Sequence, residues 1–220
     1  MRTVAGSLFS IVVNHSIAFY GADIHIAVLG VANRLIMFTM MPVMGILQGL
    51  QPILGYNYGA RNIGRVKASL KLGILVATGI ALFGFTGLML FTRTFVTIFN
   101  NDPELISEAV PIIRVMVMFI PLIGIQMVGS SLFQAIGRAV PALFLSMSRQ
   151  ILFLIPLILI LPRSMGLIGI FYAFPLSDLL STGVTVLWLR RETKILSEKF
   201  EDYPNTDEAD ACVDTTNSTS

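Results

Sequence analysis

The sequence predicts an all-α, polytopic membrane protein with six transmembrane helices. Three observations carry that prediction. Only 13% of the 220 residues are charged while 55% are hydrophobic, with a mean hydropathy of +0.79, whereas a soluble domain carries about 25% charged residues. Six apolar runs approach or exceed the roughly 20 residues that a helix needs to cross the hydrocarbon core. The basic residues gather between these runs in an uneven, alternating pattern, as topology signals do.

The first run is about 3–20, ended by Gly21, Ala22 and Asp23. Arg2 followed by Val4 to Val13 has the outline of a signal peptide. The apolar character continues through Ile17, Ala18, Phe19 and Tyr20, however, and Asn14, His15 and Ser16 fall where a signal peptide is purest, so a membrane helix is expected. The second run, 26–54, is long enough to tilt or protrude, and the third is 70–91. The fourth, 109–132, contains Pro111 and Pro121; the fifth, 141–161, is closed by Pro162; the sixth, 167–189, is followed by Arg190 and Arg191.

Orientation follows from lysine and arginine. One side collects Arg2, Arg61, Arg65, Lys67, Lys71, Arg138, Arg190, Arg191, Lys194 and Lys199, while the other has Arg93 and Arg163. Arg34, Arg114 and Arg149 lie inside spans. This asymmetry places both termini in the cytoplasm. The longest external loop is about 92–108; its Asn-Asp-Pro is a turn signal, and Pro103-Glu104 suits a first helical turn. Phe95, Val96, Ile98 and Phe99 are expected to lie flat at the interface. Residues 193–220 form a polar, acidic tail expected to be disordered. The sequon at Asn217 lies on the cytoplasmic side of this topology, where it is not modified.

The polar residues inside the spans carry whatever chemistry the chain has. An ionisable group at bilayer depth costs a few kcal/mol and marks function or a buried pair. Asp178, in AFPLSDLLSTG, is the only acid near the middle of a span. A carboxylate there can exchange a proton or bind a cation; the alternative is a structural partner for an arginine such as Arg149. Arg34 follows Asn33 in GVANRLIMF and can pair within the bundle. Gln48 and Gln51 sit three apart on one face of the second span, Gln126 lies in the inner half of the fourth, and Arg149 and Gln150 lie in the fifth. Buried amides commonly serve as interhelical glue; the other reading is a substrate cavity. Met37, Met40, Met41 and Met44 recur at helical spacing, which suits packing and also a cavity for varied flat ligands.

Several function classes are disfavoured. The sequence has no GxSxG, HExxH, Walker A or CxxC motif, so an enzyme is not expected. Its only cysteine, Cys212, cannot form an internal disulfide. His15 and His25 are ten apart with no partners, so neither a metal site nor a cofactor is expected. The bases fit membrane topology better than nucleic-acid binding.

The stretch GLQPILGYNYGARNIGRVKASLK, residues 49–71, resembles the loop after the eighth span of the multidrug and toxic compound extrusion (MATE) family. GVANRLIMFTMMPVMGILQGLQP resembles that family's eighth span. FNNDPELISEAVPIIRV resembles its ninth-to-tenth connection. SSLFQAIGRAVPALFLSMSRQILFLIPLILILP resembles the turn and span that follow, and GLIGIFYAFPLSDLLS its twelfth span. QPILGYNYGA with FQAIGRAVPA about eighty residues later is the specific pair, and the resemblance covers about residues 1–192.

The resemblance implies one lobe of a twelve-helix transporter in the plasma (inner) membrane. Such a transporter exports organic cations and drugs by antiport with Na+ or H+, its two lobes rocking around a central cavity. It implies a partner, an N-terminal six-span lobe, so the chain is expected to be a fragment, a truncated reading frame or a half-transporter. Acids that bind the coupling cation in the seventh and tenth spans of some members have no counterpart here, which leaves Asp178 as the coupling candidate. Asn33, Arg34, Gln48, Gln51, Gln126 and Arg149 are the candidates for the cavity or interlobe face. A lipid-linked substrate flippase, a non-transporting assembly partner and a polytopic membrane enzyme are the rival readings.

Overall fold

The computed structural model describes residues 2–200, and every element among them is helical. The helices are α1 (Arg2–Tyr20), α2 (Asp23–Gly59), α3 (Ile63–Phe99), α4 (Pro103–Val117), α5 (Ile120–Ala135), α6 (Ala139–Met147), α7 (Ile155–Met165) and α8 (Leu167–Phe200); a π-helical segment, Ser148–Leu154, joins α6 to α7. Among the described residues, α2, α3 and α8 are each long and apolar enough to cross a membrane, and α4 with α5 adds a fourth as a bent pair. α1 and the run from α6 to α7 occupy the other two expected spans.

The two broken spans follow the prolines. α4 and α5 meet at 44°, at Met118 and Phe119, directly ahead of the Ile120-Pro121 pair. A proline disfavours helical geometry in the residue before it and withholds an N–H from the ladder. Ahead of Pro156 the ladder widens instead: the Ile155 N–H bonds the Gln150 carbonyl, five residues back. Since Pro156 cannot donate to the carbonyl four residues before it, the helix adds a π turn rather than breaking.

α2 and α3 extend well past their apolar runs. The turn between them is closed by Arg61 at φ 59° and by Asn62, whose side chain accepts the Arg65 N–H at 3.0 Å. α3 bends at Phe91 (φ −113°, ψ 24°), where the apolar run ends, and continues to Phe99. The loop expected at 92–108 is therefore mostly helix. Val96 is fully buried while Ile98 is 71% exposed, so the four apolar residues expected flat at the interface are divided between core and surface. Asp102 caps α4 by accepting the Glu104 N–H at 3.1 Å, with Pro103 in the first turn.

Residues 193–200, assigned to the tail, instead continue α8. Leu196 is buried there, and Lys194 lies 3.8 Å from Glu198 one turn on. The rest of the tail, 201–220 with Cys212 and the Asn217 sequon, lies outside the described residues.

α2 packs on α3, α3 on α5, and α5 on α8, while α7 lies against α8 and α1 against α7. Close approach rests on small residues. A Cβ at Gly124 of α5 would come within 3.0 Å of the Thr78 backbone nitrogen of α3, and one at Gly169 of α8 within 2.7 Å of the Leu161 carbonyl. The core runs through Leu54, Ile113, Ile120, Leu132, Phe133, Leu145, Ile158 and Ile170. Trp188 of α8 meets Phe133 edge-to-face and Phe144 at a tilt, 6.4 Å and 5.4 Å between ring centres.

Candidate functional site

Three stripes of side chains line one half-open cavity. On α2, Met44, Leu47, Gln48 and Gln51 follow helical spacing, so they share a face. On α5, Gln126, Ser130 and Gln134 recur every four residues and make a second, polar stripe, with Met127 and Ser131 beside it. The third wall comes from Leu145, Met147, Arg149 and Gln150, at the passage from α6 into the π-helical segment. Together they enclose a cavity of about 530 Å³, within the range that holds drug-sized ligands.

The cavity wall combines amides, hydroxyls and thioethers with the aliphatic side chains of Leu47, Ile123 and Leu145, and among the described residues its one charged lining residue is Arg149. Gln134 Nε2 donates to Ser130 Oγ at 3.3 Å, and Ser131 Oγ donates to the Val128 carbonyl at 2.8 Å. Gln126 is buried, and Gln48 and Gln51 are exposed on the α2 face. Such a wall can donate and accept hydrogen bonds while the methionines adapt to apolar shapes.

Asp178 does not line the cavity. It is 1% exposed, on α8 behind Arg149, and its Oδ1 lies 2.5 Å from Arg149 Nε. The two groups form a buried charge pair. The neighbouring hydroxyls do not serve the carboxylate: Ser177 donates to the Phe174 carbonyl at 2.7 Å and Ser181 to the Asp178 carbonyl at 3.2 Å. A buried carboxylate at this depth demands a counterion, and Arg149, carried on the π-helical segment, provides it. One arm of the pair, Arg149, faces the cavity and the other, Asp178, is sealed in the bundle.

Four candidate residues, Gln48, Gln51, Gln126 and Arg149, come together in this cavity. Asn33 and Arg34 do not; they are exposed on α2, nearer its start. The sequence reading missed Ser130, Ser131, Gln134 and Met127, although the four-residue recurrence of Gln126, Ser130 and Gln134 was a readable signal. It also missed Glu192, which is buried on α8 and meets Arg138 of the α5–α6 turn at 2.6 Å. His25 serves locally, its Nδ1 accepting the Ala22 N–H at 3.1 Å. Among the described residues no group of three His, Cys, Asp or Glu side chains could hold a metal ion.

The two sequence motifs also meet. Gly55, in QPILGYNYGA, faces the Ala135 carbonyl of FQAIGRAVPA, 3.5 Å from where its Cβ would stand.

Comparison with known proteins places this arrangement. The MatE family model matches residues 2–160. The multidrug export protein MepA of Staphylococcus haemolyticus is 27% identical over 178 residues, covering 81% of this chain and 39% of that protein. MepA of Staphylococcus aureus is 26% identical over 184 residues, covering 83% and 40%. A MATE structure in the bent conformation superposes with a TM-score of 0.85 at 22% identity, over 90% of this chain and 44% of that one. An outward-facing multidrug resistance MATE family transporter of the MOP superfamily gives 0.83 at 22% identity, over 89% and 44%. This chain spans about two fifths of the length of the curated relatives.

Proposed function

The chain belongs to the MATE family of membrane transporters, and from that premise we propose that it acts as the C-terminal six-helix lobe of a multidrug efflux antiporter. In this reading it exports organic cations and drugs in exchange for Na+ or H+, together with an N-terminal six-span lobe. The observation that carries the reading is the cavity on which Gln48, Gln51, Gln126 and Arg149 converge. It is large enough for a drug, adaptable through its methionines, and lies beside helices broken at prolines, as sites in alternating-access transporters do. The names of the relatives support multidrug export.

Asp178 is the proposed coupling carboxylate. A cation, whether a proton, Na+ or the charged group of a substrate, would act by competing with Arg149 for it. The rival reading, favoured by the 2.5 Å contact, is that Asp178 only neutralises Arg149.

Ethidium efflux separates these. The expected result is efflux when the chain is expressed with a first lobe and none with the chain alone. Efflux by the chain alone would overturn the two-lobe reading. Asp178→Asn is expected to abolish efflux, measured per amount of protein present in the membrane. The double variant Arg149→Gln with Asp178→Asn removes both charges. Restored efflux in it would reduce Asp178 to a counterion, whereas continued loss supports coupling. Collapsing the Na+ and proton gradients separately identifies the coupling ion. Transport of a lipid-linked sugar but not of dye would favour the flippase alternative.

A further inference from the structure

The cavity between α2, α5 and the π-helical segment is polar, and its charge is one-sided. Among the described residues that line it, Arg149 is the one ion and none is a carboxylate. The carboxylate behind it, Asp178, is 1% exposed and already lies against Arg149. An organic cation entering the cavity therefore meets a guanidinium first, whereas an anion meets a fixed donor.

The guanidinium is suited to a second partner. Its contact with Asp178 runs through Nε, at 2.5 Å, while 28% of the side chain stays open where it lines the cavity. A guanidinium carries its N–H donors in a planar fork. The end of that fork, between the two terminal nitrogens, matches a carboxylate bidentately. Pairing with Asp178 offsets the cost of an uncompensated charge at this depth, so the donor stands ready with no ligand bound. Because that charge is already offset, the site suits a singly charged group better than a dianion such as a phosphate monoester. Around it, Gln48, Gln51 and Gln150 carry amide donors. Met44, Leu47 and Met127 supply an adaptable apolar wall.

We infer, resting on the proposed reading of this cavity as a transport site, that it selects organic carboxylates: molecules whose carboxylate pairs with Arg149 and whose apolar body lies along Met44, Leu47 and Met127. Arg149 is then a specificity-determining residue, shared between the carboxylate of Asp178 and that of the ligand. A drug that bears both an amine and a carboxylate presents its anionic end to this lobe.

The test is binding to the purified full chain in mild detergent, followed by the fluorescence of three probes that share one dansyl body: dansylglycine, its neutral amide and a dansyl amine. A hydrogen bond to a charged group contributes about tenfold in affinity. Dansylglycine is expected to bind about tenfold more tightly than the amide, with the amine weakest. Arg149→Met with Asp178→Leu removes both charges in favour of apolar volume, a replacement that buried pairs tolerate, and is expected to erase the preference for the carboxylate. Gln51→Glu, on the exposed face of α2, places an acid in the cavity wall and is expected to turn the preference towards the amine. Equal binding of dansylglycine and its amide by the wild-type chain, binding of none of the probes, or a preference that survives in the double variant or is untouched by Gln51→Glu would each overturn the inference. Ethidium efflux by the two lobes alongside any of these results would leave the efflux reading standing and remove the carboxylate selectivity alone. Loss of efflux with the carboxylate preference intact would do the reverse.

Discussion

At the scale of single residues, the Arg149–Asp178 pair is where structure and proposed function depend on each other. Removing one member of a buried pair leaves an uncompensated charge, at a cost of about 3–5 kcal/mol, whereas replacing both is often neutral. Arg149 keeps 28% of its side chain open to the cavity, so its loss falls at the lower end. Arg149→Gln should destabilise the lobe by about 3 kcal/mol. Arg149→Met combined with Asp178→Leu should recover most of that, read as thermal unfolding in detergent. If the single variant melts with the wild type, the pair does not hold α8 to the π-helical segment. Asp178 was legible in the sequence as a lone acid in a span. Its position behind the cavity wall was not, because that depends on how the π-helical segment carrying Arg149 packs against α8.

At the scale of helices, close packing rather than apolarity sets the architecture. Lipid is as apolar as a leucine side chain, so helices in a bilayer associate through small residues that let backbones approach. Gly124 lies against the backbone of α3 at Thr78 and Ala77, whereas a Cβ at Gly30 would meet nothing within 4 Å. Gly124→Ala must push α5 off α3 and is expected to cost about 1–3 kcal/mol, as overpacking does. Gly30→Ala should leave stability unchanged or slightly raised. Thermal unfolding of the two variants side by side checks the contrast; equal midpoints would mean that the α3–α5 contact yields. The sequence announced the helices through apolar runs and the breaks through prolines. It did not say that one proline would bend a span by 44° and another would widen one, since both outcomes satisfy the same missing N–H.

At the scale of the whole molecule, bases distant in sequence gather at one end. Lys67 and Lys71 of α3 meet Thr193 of α8 in one hollow, and Arg138 meets Glu192. The topology expected from the charges, with this end in the cytoplasm, can be tested in a Cys212→Ser background. A cysteine at Gly64 should react with a membrane-impermeant maleimide only in inverted vesicles, and one at Asn101 only in intact cells. The reverse pattern would invert the topology. The exposed apolar face of α2, with Met37, Phe38 and Met41 at 64%, 73% and 60% exposure, adjoins the cavity stripe at Met44 and suits the proposed contact with a first lobe.

The sequence by itself determined that the chain is helical, membrane-embedded and built on the MATE pattern. Hydropathy, prolines and short motifs are local properties and survive without a neighbour. It also supplied most of the polar residues of the candidate cavity, as amides and an arginine that sit badly in lipid. Only the tertiary structure decided which of them share a site. Gln48 and Gln126 belong together because α2 packs directly against α5, Asn33 and Arg34 are left out because they lie nearer the start of α2, and Asp178 is paired because the π-helical segment that carries Arg149 packs against α8. Convergence of that kind depends on helix rotation and separation, which are fixed by contacts between segments far apart in the chain.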